Sequence, residues 1–161
     1  MLNRKKNNKG FTLVELLVVI AIIGILAVVA VPALFKNIEK GKVADLESDI
    51  SAIRSAALSV YADKSEMPVE QKDILTATTE IGAELEGLSN PFKATSYKTV
   101  SADNGNKLLL EITVGKGISK DGVQKLINDL GDKYVNNTGV TVTTAEPISS
   151  NSSIYIKLMS K

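Results

Sequence analysis

The chain has 161 residues, a formal net charge of +1, and no cysteine, histidine or tryptophan. Without Cys or His it has no thiol nucleophile, Ser–His–Asp triad, imidazole or thiolate metal site, or disulfide framework. Arg4, Lys5, Lys6 and Lys9 are the only charged residues within 1–10, which leaves −3 on the rest, so the remainder lacks the basic surplus of a nucleic-acid binder.

The apolar run comes first. Phe11 to Phe35 is interrupted only by Thr12, Glu15, Gly24 and Pro32. As a helix it would extend about 38 Å at 1.5 Å per residue, enough to cross a hydrocarbon core of about 30 Å. The basic residues before it read as an orientation signal. Glu15 is the discordant residue, because an ionisable side chain in hydrocarbon costs about 2.5–3.5 kcal/mol. Either a partner offsets that cost, or the side chain snorkels to the headgroups. A secretory signal peptide fits poorly: the run is long, it holds a carboxylate, and cleavage after it would cut a continuing helical pattern. A plain single-pass anchor leaves Glu15 unexplained.

Beyond Phe35 the helical period persists. Val43, Leu46, Ile50, Ile53, Ala57 and Val60 recur at spacings of three and four, predicting an amphipathic helix to about Asp63. Asp45, Glu47 and Asp49 are expected on a solvated or inter-subunit face, with no metal site. Met67-Pro68 stops the helix. The loop 64–94 holds a possible short helix at Ile74–Leu85, and Asn90-Pro91 forces extended backbone.

Thr95–Ser101 reads as a strand, Asp103–Asn106 (DNGN) as an Asn-Gly hairpin turn, and Lys107–Val114 as the return strand. On the latter, Leu108, Leu110, Ile112 and Val114 share one face, and Leu109, Glu111 and Thr113 the other. Ser119 is expected to cap a helix carrying Val123, Leu126, Ile127, Leu130 and Tyr134. Val140–Thr144 and Ile154–Met159 alternate as two more strands.

The predicted fold class is α+β: a long N-terminal helix, half membrane or filament core and half amphipathic, packed on a small antiparallel sheet. The boundaries expected are a basic segment 1–10, an apolar helix 11–35 and a head 36–161, whose sheet region spans 95–161. Gly115–Ser119 lacks phosphate-loop spacing, and the tripeptides at Asn136 and Asn151 match a glycosylation pattern common by chance.

Residues 5–35, "KKNNKGFTLVELLVVIAIIGILAVVAVPALF", resemble the start of the type IV pilin family. The family pattern is a basic leader ending in Gly, then Phe, then Glu at the fifth mature position, then an apolar helix. The resemblance implies that a prepilin peptidase cuts between Gly10 and Phe11 and methylates the Phe11 amine. It implies that Glu15 pairs with the Phe11 amine of a neighbouring subunit, and that helicity is lost between Gly24 and Pro32 in the filament. The implied partners are identical subunits in a helical filament, the peptidase and a membrane assembly platform. The implied location is a single-pass membrane state followed by a surface pilus used in adhesion, motility or biofilm formation. No cofactor, catalytic role or nucleic-acid partner is expected. The alternative is the major pseudopilin of a type II secretion system, which shares the leader. That relative typically carries a calcium loop near its C-terminus, whereas here Glu146 is the sole acid after Lys133. Absence of cysteine makes the chain most similar to the type IV pilins of Gram-positive bacteria such as clostridia.

Overall fold

A computed structural model describes residues 10–69, 73–74, 79–85 and 87–160. The expected leader therefore lies, apart from Gly10, outside the described residues, as does part of the expected 74–85 helix. Helix α1 spans Leu13–Lys64. The described residues divide into two compact units, 10–37 and 38–160.

In the first unit α1 runs through Gly24 and Pro32 without interruption. Its large apolar side chains all project outward, from Leu13 at 86% exposure to Val31 at 45%. The helix is long and apolar enough to cross a membrane. A methyl group placed on Gly24 would meet nothing within 4 Å, so its smallness serves no packing among the described residues.

The second unit holds the core. Its sheet has the order β1-β2-β4-β3, with β1 Ser96–Ala102, β2 Lys107–Thr113, β3 Tyr134–Val135 and β4 Ser153–Ser160, all antiparallel. The last strand enters between β2 and β3, and its register against β2 shifts at Leu108/Leu109. Period-2 alternation turns Leu108, Leu110 and Ile112 of β2, and Ile154, Ile156 and Leu158 of β4, into the core. There they join Val43, Leu46, Ile50, Ile53, Ala57 and Val60 of α1. Each of the larger residues contributes about 1.5–3 kcal/mol by leaving water. This is the long-helix-on-sheet α+β arrangement expected from the sequence.

The opposite sheet face holds a smaller cluster of Ala102, Leu109 and Val135, flanked by Val100 and Tyr155. Leu109 thus points away from Leu108 and Leu110, as alternation requires. The loop after β3 closes over this cluster. At Gly139 a Cβ would lie 3.1 Å from Lys107 Cδ and 3.7 Å from the Ala102 methyl.

Helix α3, Lys120–Leu130, begins at the expected cap: Ser119 Oγ accepts from Gly122 N at 3.2 Å. The Ser119 amide and hydroxyl also donate to the Glu39 carboxylate of α1, at 2.7 and 2.5 Å. A carboxylate at a helix N-terminus is favoured by the exposed amides and the helix dipole.

Five expectations differ from the structure. Helix α2 spans only Glu80–Ala83, with Thr79 as its cap. The DNGN turn forms where expected, with Asn104 and Gly105 at positive φ (54° and 87°) and Asn106 N donating to Asp103 O at 3.0 Å, but Tyr134, expected on α3, opens β3 instead, and Asn90, expected to be extended before Pro91, adopts φ 46°. Val140–Thr144 is no strand: it makes one bridge, Val135 to Thr141, and Val140 is 60% exposed. The cause is Asn136, whose Oδ1 accepts from Thr138 N (3.0 Å), Thr138 Oγ1 (2.7 Å) and Val140 N (2.9 Å). That side chain takes the Val140 amide out of strand pairing, while Val140 O and Val142 N still pair with Asn136 N and Tyr134 O at 2.9 and 3.0 Å, and the short β3 takes the edge position. Lastly, the acids of α1 do not share one solvated face. Asp45 is exposed, but Asp49 is buried, accepting from Ser89 N and Asn90 N at 2.8 Å each. Glu47 is half-buried beside Lys125 and Asp129 of α3.

Candidate assembly site

The residues singled out by sequence lie at the start of α1. Phe11 is 85% exposed. Thr12 occupies the cap position. Its hydroxyl accepts from Glu15 N at 3.2 Å, and Glu15 Oε2 accepts from Thr12 N and Thr12 Oγ1, each at 2.8 Å. This is the reciprocal S/T-x-x-E box that satisfies two of the orphan amides opening a helix. The pattern is legible in "TLVE" (Thr12–Glu15), beside the two expectations for the charge itself, an external partner or snorkelling to the headgroups.

The box explains part of how a carboxylate is tolerated here. Glu15 meets two local donors before any second molecule arrives, and a carboxylate near a helix N-terminus lies at the favourable end of the dipole. Both bonds fall on Oε2, leaving Oε1 without a hydrogen bond among the described residues. Gly10 immediately precedes Phe11, and a side chain there would meet nothing within 4 Å. The Gly10–Phe11 peptide thus stands clear of other described parts of the chain, just before the first helical turn. Gly24 and Pro32 lie farther along α1 and are not brought together with Glu15.

The second unit carries polar devices whose partners are distant in sequence or set by a loop. Asp49 fastens the Ser89–Asn90 segment to α1. Asn90, at φ 46°, then accepts from Ala94 N at 2.6 Å and donates to Ala94 O at 3.2 Å. Tyr97, fully buried at the start of β1, donates through its amide to Asp73 at 2.9 Å. Burial pushes its hydroxyl pKa up, with Asp49 and Asp73 adding to the shift. A buried carboxylate on a helix face has no signature distinguishing it from an exposed one at the same period, so Asp49 was not separable from Asp45.

Two family descriptions match the chain. Residues 5–31 match the prokaryotic N-terminal methylation motif, and residues 37–108 match PilW, C-terminal. The type IV major fimbrial protein FimA of Dichelobacter nodosus is 35% identical over 136 residues, 81% of each chain. The type IV major alpha-pilin of Moraxella bovis is 31% identical over 140 residues, 86% of this chain and 78% of that one. The solved structure of the major type IV pilin PilA1 from Clostridium difficile superposes with a TM-score of 0.62 at 30% identity, covering 77% of this chain and 98% of the other. The type II secretion system core protein G of Klebsiella michiganensis is 38% identical over 77 residues, but that covers only 48% of this chain and 54% of that protein. Cap, apolar helix and four-stranded head agree with these likenesses, and the chain belongs to the type IV pilin family.

Proposed function

We propose that this pilin is cut between Gly10 and Phe11, is N-methylated on Phe11, and polymerises through residues 11–35 into an extracellular filament. The observation that carries this reading is the contrast at the start of α1. An apolar surface of membrane length lies wholly exposed, with one carboxylate near its N-terminal end. A membrane covers such a surface before assembly, and neighbouring copies of the same helix cover it afterwards.

Cleavage removes the basic leader and creates an amine one residue before Thr12. That amine lies about 6 Å along the helix axis from Glu15. In the filament, Glu15 of one subunit accepts from the Phe11 amine of the next. An unpaired charge in an apolar core is penalised by several kcal/mol, so the pair fixes axial register where the apolar contacts are non-directional. The Thr12 box holds the carboxylate in one orientation while its partner is absent. Loss of helicity between Gly24 and Pro32, where proline already removes one backbone donor, would give the packed subunits freedom to extend. In the filament the head, residues 36–161, faces outward. The peptidase and a membrane platform are the partners this route requires.

Mass spectrometry of sheared surface filaments tests the processing step. The expected N-terminal peptide starts at Phe11 and carries one added methyl group. A peptide starting at Met1, or at a residue beyond Val31, would overturn it. The type II pseudopilin reading rests on a likeness to half of this chain only, and it predicts no surface filament in cells carrying the gene.

A further inference from the structure

We infer that Asn104 is a self-modifying position, converting with time to aspartate and isoaspartate at the tip of the β1–β2 hairpin. Four observations carry this. Asn104-Gly105 is the sole Asn-Gly pair in the sequence. Asn104 is exposed. Gly105 has no Cβ to obstruct attack at its amide, and even an added methyl would meet only Ser101 Oγ, at 3.9 Å. Finally, the Gly105 N–H is held by one bond, to Ala102 O at a long 3.2 Å.

The chemistry needs only water. The Gly105 amide gives up its proton to hydroxide, and its nitrogen attacks Asn104 Cγ. A C–N bond forms within a five-membered imide, the bond from Cγ to Nδ2 breaks, and ammonia leaves with the proton it gains from water. Water then opens the imide at either carbonyl. Opening at one restores the normal backbone as aspartate, and opening at the other routes the backbone through the side chain as isoaspartate. The sum is asparagine plus water giving an acid plus ammonia, with no change of oxidation state.

The other asparagines lack one or more of these conditions. Asn90 precedes Pro91, which has no N–H to attack with. Asn136 Oδ1 is engaged by three donors. Asn151 and Asn106 precede Ser152 and Lys107, whose Cβ atoms crowd the approach. The one Asp-Gly pair, Asp121-Gly122, is an internal control. It lies in the first turn of α3, and its Gly122 N–H is committed to Ser119 Oγ. A Cβ at Gly122 would fall 2.8 Å from Ile118 and 3.0 Å from Glu39, so the backbone there has no room to rearrange.

The product adds a negative charge beside Asp103, which already pairs with Lys107 at 3.2 Å. The isoaspartate form also lengthens the backbone of a loop whose three consecutive positive φ values set the Ala102–Lys107 pairing. Lys107 in turn donates to Gly139 O at 3.5 Å, so the loop over the outer sheet face is the part of the head next affected.

The test ages the full-length protein in detergent micelles at pH 7 and pH 9 and maps the peptide Thr99–Lys107 by mass spectrometry. Isoaspartate is counted by enzymatic methylation. The expected result is conversion at Asn104 about tenfold or more faster than at any other asparagine, because only this position is followed by glycine. It should be faster at pH 9, give both products, and disappear in Asn104→Gln with Asp121 unchanged. Conversion to aspartate without isoaspartate, first conversion at Asn136 or Asn151, or persistence of Asn104 at pH 9 would each overturn the assignment.

Discussion

The two parts of this pilin use apolar residues in opposite ways. In residues 10–37 large aliphatic side chains surround α1 on all sides and none is buried, whereas from Ile38 onward the apolar positions return every three or four residues and nearly all are covered. Composition alone would rank the first part as the better core former. What the second has instead is pattern: one stripe on the helix, and one face on each strand, that meet. An apolar surface without a polar side has no place in water and must be matched by lipid or by other copies of itself.

Polar groups differ in the same way. In the head, the buried Asp49 has its partners within the chain, in Ser89 and Asn90. At the start of α1, Glu15 is served, among the described residues, only by Thr12, within its own first turn. The proposed subunit-to-subunit pairing supplies the remainder.

Changes in the two parts should therefore have separable consequences. The largest is expected at Glu15. Breaking a buried pair by deleting one partner costs about 3–5 kcal/mol, repeated at every subunit contact. Glu15→Ala and Glu15→Gln should abolish filaments while subunit levels, leader removal and head melting stay as in wild type. Normal filament yield from both variants would leave the carboxylate without the pairing role. Next comes the core. Leu110→Ala empties a fully buried site and should destabilise the head by about 2–5 kcal/mol in chemical denaturation. Leu17→Ala, at a site 63% exposed, should leave that transition unmoved. Asp49→Ala strands two backbone amides and should cost about 1–3 kcal/mol, with faster amide exchange at Ser89 and Asn90.

The smallest effect is expected at Glu47. Partial burial pushes its pKa up, reinforced by the nearby Asp129 and opposed by Lys125, whose Nζ lies 3.7 Å away. Lys125 is drawn more closely to Asp129 and holds that carboxyl below its usual range. A raised carboxylate pKa means the folded state binds the proton more tightly than the unfolded state, so this group's contribution is fully present at low pH. It is lost as pH rises from about 4.5 through the folded value. Glu47→Gln should thus be neutral in acid and stabilising at pH 7, by less than about 1 kcal/mol after solvent screening. Urea titrations at pH 4 and 7 read the difference. Asp129 acts with the opposite sign and is present in both proteins.

Much of this contrast is legible in the amino-acid order. The apolar run, the stripe from Val43 to Val60, the alternation of β2 and β4 and the Ser119 cap each depend on residues close in sequence. Asp49 and Glu39 do not, since their partners lie 40 to 80 residues away, and helical period alone cannot assign them. Val140–Thr144 failed for a local reason. Its alternation is that of a strand, but the preceding Asn136 captures its first amide, at Val140, and pairing with β3 stops after Val142 N donates to Tyr134 O. At the assembly site the spacing of Thr12 and Glu15 was sufficient for the capping box, which a focus on charge obscured.

The division between a part stable by itself and a part that needs neighbours is tested most directly by expressing residues 38–161 alone and following urea unfolding by circular dichroism. The predicted result is a soluble monomer with mixed helix and strand signal and a single cooperative transition that coincides with loss of Tyr97 and Tyr134 burial in near-ultraviolet spectra. A protein that aggregates, or that loses its helix gradually without a cooperative midpoint, would contradict it.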